Sequence, residues 1–149
     1  MFSEHTHSAT TTASPLRAYQ VIAEIGDYDS WLPKSGSYRG TVVGTDRREA
    51  LVGDTYADCT TLGIVFGKVI IAEPGKLIGF RQQTSDESLR IGITYRIIAD
   101  QLLTTILRTG RIEITGRLRP LALFIVPAIR RENARTMRHL KAHLDSESS

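Results

Sequence analysis

Residues 118–144 read LRPLALFIVPAIRRENARTMRHLKAHL. At helical spacing, Ala122, Ile125 with Val126, Ile129, Asn133, Met137, Leu140 and Leu144 fall on one side. Arg130, Arg131, Glu132, Arg135, Arg138 and Lys141 fall on the rest. An apolar stripe of this period marks an amphipathic helix. A helix from Leu118 to Leu144 runs roughly 40 Å at 1.5 Å per residue. A helix so one-sided draws its stability from an apolar surface laid against that stripe. The residues before it read as strands, and a sheet is that surface.

Moving outward toward the N-terminus, Leu102 to Glu113 is the strand nearest the helix. Before it, Leu89, Ile91, Ile93, Tyr95 and Ile97 alternate with Arg90, Thr94 and Arg96, the period of a half-buried strand from Leu89 to Ile98. Leu77 to Gln83 follows the Pro74-Gly75 turn, and Val65 to Glu73 precedes it. Asp54 to Leu62 and Tyr38 to Val43 complete the run, separated by the polar loop Gly44 to Gly53. Upstream, Ser14-Pro15 opens a short helix that Gly26 stops, and Asp27 caps a second one through Tyr28 and Trp31, closed by Pro33. Phe2 to Thr12 is a Thr- and Ser-rich strand placed at a sheet edge. The expected fold is α+β: a seven-stranded curved antiparallel sheet around a long C-terminal helix, with two short helices after the first strand. Short links make consecutive strands antiparallel neighbours. A bent sheet that grips a helix leaves space between them, and apolar space with a few polar groups is a ligand cavity.

The chain has 149 residues and a formal net charge of +3, enough for one domain with a real core and not basic enough to demand a nucleic-acid partner. Cys59 has no second cysteine to pair with, which fits a reducing compartment, and no signal peptide is visible, so a soluble cytoplasmic protein is expected. The longest apolar run, Leu121 to Ile129, is broken by Pro127 and falls short of a membrane span. The Ser-rich end, Asp145 to Ser149, reads as frayed.

Several local motifs occur in a telling order. They are Ala13-Ser14-Pro15 with Ala18-Tyr19, Asp27 through Trp31-Leu32-Pro33, Gly53-Asp54-Thr55-Tyr56, Glu73-Pro74-Gly75-Lys76-Leu77-Ile78-Gly79-Phe80, and Leu118-Arg119-Pro120-Leu121 opening the Arg-rich helix. Together they resemble the START-related, pollen-allergen-like helix-grip superfamily (SRPBCC), in its polyketide cyclase/dehydrase-like branch. The resemblance covers nearly the whole chain as a single domain. It implies a helix-grip fold, but that fold hosts lipid carriers, receptors and cyclases alike. In the related aromatase/cyclases a tryptophan and a tyrosine at similar spacing line the pocket, which points to Trp31 and Tyr38. Against this, aromatics are common core pieces. Those cyclases also have a pocket arginine just before the Pro-turn. Here the stretch is Ile70-Ile71-Ala72-Glu73-Pro74, so that residue is not carried over.

The expected pocket lining is Trp31, Tyr38, Tyr56, Ile71, Phe80, Ile91, Ile93 and Tyr95 from the sheet side, with Ile125, Ile129, Asn133 and Met137 from the helix. Asn133 stands out as an amide on the apolar stripe. It either bonds to the sheet, holds a water or faces a ligand, unless the stripe rotates and Thr136 takes its place. Pro127 is expected to kink the helix or break it near Leu123, leaving a lid segment. His139 and His143 lie one turn apart with no third ligand, so neither a metal nor a cofactor is expected. Cys59 has no base beside it. Three functional classes stay open. The first is a non-catalytic binder of a hydrophobic or amphipathic small molecule, lipid or polyketide-like, acting as a monomer or homodimer. The second is an aromatase/cyclase-like enzyme using Tyr38, Tyr56 or Tyr95 as acid. The third is an interaction module using the basic helix face.

Overall fold

The computed structural model describes residues 2–34, 38–44, 46–61 and 63–148. The strands are β1 (Phe2–Thr11), β2 (Tyr38–Val43), β3 (Thr55–Thr60), β4 (Gly63–Glu73), β5 (Leu77–Gln83), β6 (Leu89–Asp100) and β7 (Leu103–Ile114). They form one antiparallel sheet in the order β1-β7-β6-β5-β4-β3-β2. Every neighbour follows in sequence except β1, which lies beside the last strand and forms one edge, as expected. Leu62, the expected last residue of β3, lies outside the described residues.

Helix α1 (Pro15–Ala23) starts as its sequence dictates: the Ser14 hydroxyl accepts the Arg17 N–H at 3.1 Å, and Pro15 takes a first-turn position that needs no donor. Its end differs from expectation. The helix stops at Ala23 with Glu24 as its cap, ahead of Gly26, and the Glu24 carboxylate pairs with Arg48 at 3.0 Å. The second short helix is a 3₁₀ segment, Ile25–Ser30, and begins before Asp27.

In β6 the alternation holds. Leu89, Ile91, Ile93, Tyr95 and Ile97 are buried on the concave face, and Arg90 and Arg96 are exposed. Helix α2 (Ala122–Ser148) lies across that face. It begins four residues later than expected, since Gly116–Leu121 forms a 3₁₀ segment containing Pro120. Pro127 sits inside α2 without ending it, so the expected break and separate lid are replaced by a continuous helix. In its second half Leu140 and Leu144 are fully buried, with Ile22, Ile78 and Ile106 in the same core. The end expected to fray is helical through Ser148 and tied down. The Thr11 hydroxyl donates to Asp145 at 2.6 Å, and Arg17 makes a two-point contact with Glu147 at 2.8 Å on each branch. Among the described residues, no helix is long and apolar enough to cross a membrane.

Leu140 anchors the filled half of the helix, so Leu140→Ala should cost about 2–5 kcal/mol in a denaturant titration. Leu123→Ala, at a side chain 77 % exposed, should change stability by less than about 0.5 kcal/mol.

Candidate functional site

Under the first half of α2 the sheet does not reach the helix, and a cavity of about 390 Å³ remains. Its sheet wall is built from Tyr56, Val65, Phe80, Leu89, Ile91, Ile93 and Tyr95, and its helix wall from Ile125, Ala128, Ile129, Asn133 and Thr136. These helix positions recur at steps of three and four, so a single face covers the space. Leu121 and Phe124 also line it and are exposed, which puts them at its rim. Phe80 meets Tyr56 and Tyr95 edge-on, with centroids 5.9 and 6.2 Å apart.

Nine of the expected lining residues therefore meet around one space: Tyr38, Tyr56, Phe80, Ile91, Ile93, Tyr95, Ile125, Ile129 and Asn133. Three lie elsewhere. Trp31 is buried but packs against Tyr28 at 5.2 Å and stacks on His143 at 6.4 Å, beneath the far half of α2. His143 in turn pairs with Glu147 at 3.2 Å. Met137 lies beyond Thr136, where the cavity ends, and joins the solid core with Leu140. Ile71 is displaced by a bulge. The register shifts between Val69 and Ile71, so Val69 pairs with Phe80 and Ile71 with Gly79. A Cβ on Gly79 would come within 2.7 Å of Ile71 Cγ2, so Ile71 covers Gly79 on the convex face, away from Phe80.

Polar groups enter this apolar space from two sides. On the β2–β3 side, Asp58 accepts from the Thr41 hydroxyl at 2.7 Å and from Gln82 Nε2 at 3.3 Å. Gln82 Nε2 also donates to the Tyr56 hydroxyl at 2.7 Å, and the Tyr38 hydroxyl donates outward to Asp29 at 2.5 Å. Burial pushes the Asp58 carboxyl up to about 6, although Thr41, Arg108 and Gln82 all favour its charged form. Burial likewise raises the hydroxyls of Tyr38, Tyr56 and Tyr95, so all three stay protonated. Gly67 makes the Tyr56 position possible, since a Cβ there would come within 2.2 Å of the ring.

On the β7 side stands Arg108, which sequence reasoning passed over. It is 7 % exposed and points inward from the same face as Ile106, Gly110 and Ile112. Its guanidinium lies over the Tyr95 ring at 5.1 Å, donates to the Tyr95 hydroxyl, and donates to Asn133 Oδ1 at 2.7 Å. The other end of the Asn133 amide lies 2.7 Å from His5 Nε2. Because Asn133 Oδ1 accepts the arginine N–H, its NH₂ faces His5, whose Nε2 must accept and so carries no hydrogen. Burial first, then His7, Arg130 and Arg108, lower the His5 pKa and favour the same neutral ring. Gly110 leaves room for this contact: a Cβ there would approach both Asn133 Nδ2 and His5 Nε2 to 3.2 Å. The inward parity of Arg108 in β7, and of Asp58 beside Tyr56 in β3, was the signal available in the sequence.

The fold has many solved relatives at low identity. No protein-family model matches the chain, and no curated protein sequence does. An aromatase/cyclase from a Streptomyces strain superposes with a TM-score of 0.81 at 10% identity, covering 100% of this chain and 97% of that one. A norcoclaurine synthase point mutant from Thalictrum flavum, solved with a transition-state analogue, gives 0.75 at 13% identity over 100% and 98% of the two chains. A START superfamily protein from Mycobacterium smegmatis gives 0.73 at 12% identity over 96% and 97%. The architecture is therefore the helix-grip fold shared by START-like proteins, pollen-allergen-like proteins and aromatase/cyclases.

The Asp58 shift has a definite sign. A carboxyl whose folded value is raised to about 6 from 3.8 favours the folded state when protonated, and that contribution is lost as pH rises through about 6. Relative to Asp58→Asn, the wild-type protein should lose stability between about pH 4 and 6 and hold a constant difference above that range. Denaturant titrations of both proteins across the interval measure it. A parallel pair of curves would mean that Asp58 is not buried in its charged form.

Proposed function

We propose that this protein binds a hydrophobic or amphipathic small molecule, lipid or polyketide-like, in the space between sheet and helix, without catalysing its conversion. The observation that carries this reading is the cavity itself. It is large, walled mainly by aliphatic and aromatic side chains, and preformed under a helix whose far half is tightly packed. Binding would draw on apolar burial, at roughly 25 cal/mol per Å² removed from water. The rim residues Leu121 and Phe124 are exposed and apolar, which suits the entry of such a molecule. The helix-grip neighbours include proteins named for ligand chemistry, and this supports the reading by analogy of fold.

A second reading, an aromatase/cyclase-like enzyme, draws on Asp58. A cavity carboxyl held near 6 is poised to exchange a proton near neutral pH, and Arg108 faces the same space. An enzyme would convert a polyketone to a cyclised product of different chromatographic retention, lighter by one water where aromatisation follows, whereas a carrier would return the compound unaltered.

Native mass spectrometry of the protein purified from its own host should reveal a co-purified small molecule that denaturing conditions release. Ala128→Trp, which projects bulk into the cavity, should weaken binding of an apolar fluorophore such as N-phenylnaphthylamine by at least about tenfold, or about 1.4 kcal/mol. Wild-type protein that leaves the fluorophore unbound would refute the reading.

A further inference from the structure

We propose that the ligands of this cavity carry a carboxylate, and that Arg108 receives it. This rests on the reading of the cavity as an amphiphile site and specifies the head group.

Arg108 is buried, and an arginine cannot shed its proton to escape burial. A buried cation without an anion is costly, so such groups are found paired. Among the described residues, Arg108 forms no ion pair. Its two hydrogen-bond partners, the Tyr95 hydroxyl and Asn133 Oδ1, are both neutral. The other titratable neighbour reached through Asn133 is His5, whose accepting Nε2 makes it a neutral ring. The cavity carboxylates do not fill the gap. Asp58 is held by Thr41 and Gln82 and acts on Arg108 only through space, Glu132 is held by Arg135 at 2.7 Å, and neither lies within ion-pair distance of Arg108.

The donors that remain have the right form. Tyr95 and Asn133 each engage one hydrogen on a terminal nitrogen of the guanidinium. That leaves the second hydrogen on each terminal nitrogen, while the Nε–H is enclosed and has no partner. A planar fork of parallel N–H groups matches the two oxygens of a carboxylate. Tyr95 and Asn133 hold the fork in place from β6 and from α2, so little ordering is left for the ligand to impose. The rest of the wall offers Ile91, Ile93, Ile125 and Ile129, surfaces for an alkyl or aryl tail. The predicted ligand class is a monocarboxylic amphiphile, its head on Arg108 and its tail running toward the Leu121 and Phe124 rim.

Decanoate and decanol test this, because they share a tail and differ in charge. Displacement of a bound apolar fluorophore at neutral pH should show wild-type protein preferring decanoate by at least about tenfold. Arg108→Met should bind decanol and lose the preference. The wild-type protein gives a separate readout: the Arg108 Nε–H resonance, followed by nitrogen-resolved NMR, should shift with decanoate and stay put with decanol. That measurement decides the matter if Arg108→Met does not fold. A wild-type protein that binds both compounds equally, a preference that survives in Arg108→Met, or an unmoved Nε–H signal would each overturn the carboxylate assignment while leaving the amphiphile site standing. Binding of neither compound would overturn both.

Discussion

Helix α2 is held firmly at one end of its buried stripe and held off the sheet at the other, and the architecture follows from that difference. Leu140 and Leu144 are fully buried, and the last turns are tied to β1 by Thr11 and to α1 by Arg17. With the C-terminal half pinned, the N-terminal half cannot drop into the bend of the sheet without tilting the whole rod. At the midpoint, Arg108 and Asn133 form a polar strut between β7 and the helix. A strut of hydrogen-bonded groups resists collapse, because closing the gap would strip buried polar atoms of their partners. The cavity thus persists next to a close-packed core.

The same strut places a charge where apolar packing would otherwise rule. Asp58 and Arg108 enter the cavity from strands that are not neighbours, each held by neutral hydrogen-bond partners. The carboxyl answers burial by shifting toward its neutral form. The guanidinium has no neutral form to adopt at ordinary pH, so its environment must accommodate the charge. That asymmetry makes the arginine the more informative of the two about what the cavity receives. The arginine enters the cavity from β7.

Glycine and a bulge do the fine placement. Gly67 lets the Tyr56 ring lie flat over β4, and Gly110 lets the Asn133 amide meet His5 over β7. The shift between Val69 and Ile71 bends β4 and turns Ile71 outward to cover Gly79. Each device changes which side chains see the cavity without disturbing strand order.

The sequence alone determined the element order, the inward face of β6 and the apolar stripe of α2, because these rest on local periodicity. A period of two or of 3.6 is written in consecutive residues, and burial of one face follows from it. It also placed most of the aromatic and aliphatic lining, since residues of correct parity on neighbouring strands must share a face. Only the tertiary structure decided the rest. The sliding of Ile71 to the convex face depends on a register shift against β5, and no local pattern encodes that pairing. The exclusion of Trp31 and Met137 depends on where along α2 the packing becomes solid. The roles of Arg108, Asn133 and His5 depend on contacts between residues far apart in the chain, and hydrogen bonds across such distances leave no periodic trace. Periodicity reports which face is buried, and only packing reports whether what lies beneath that face is core or space.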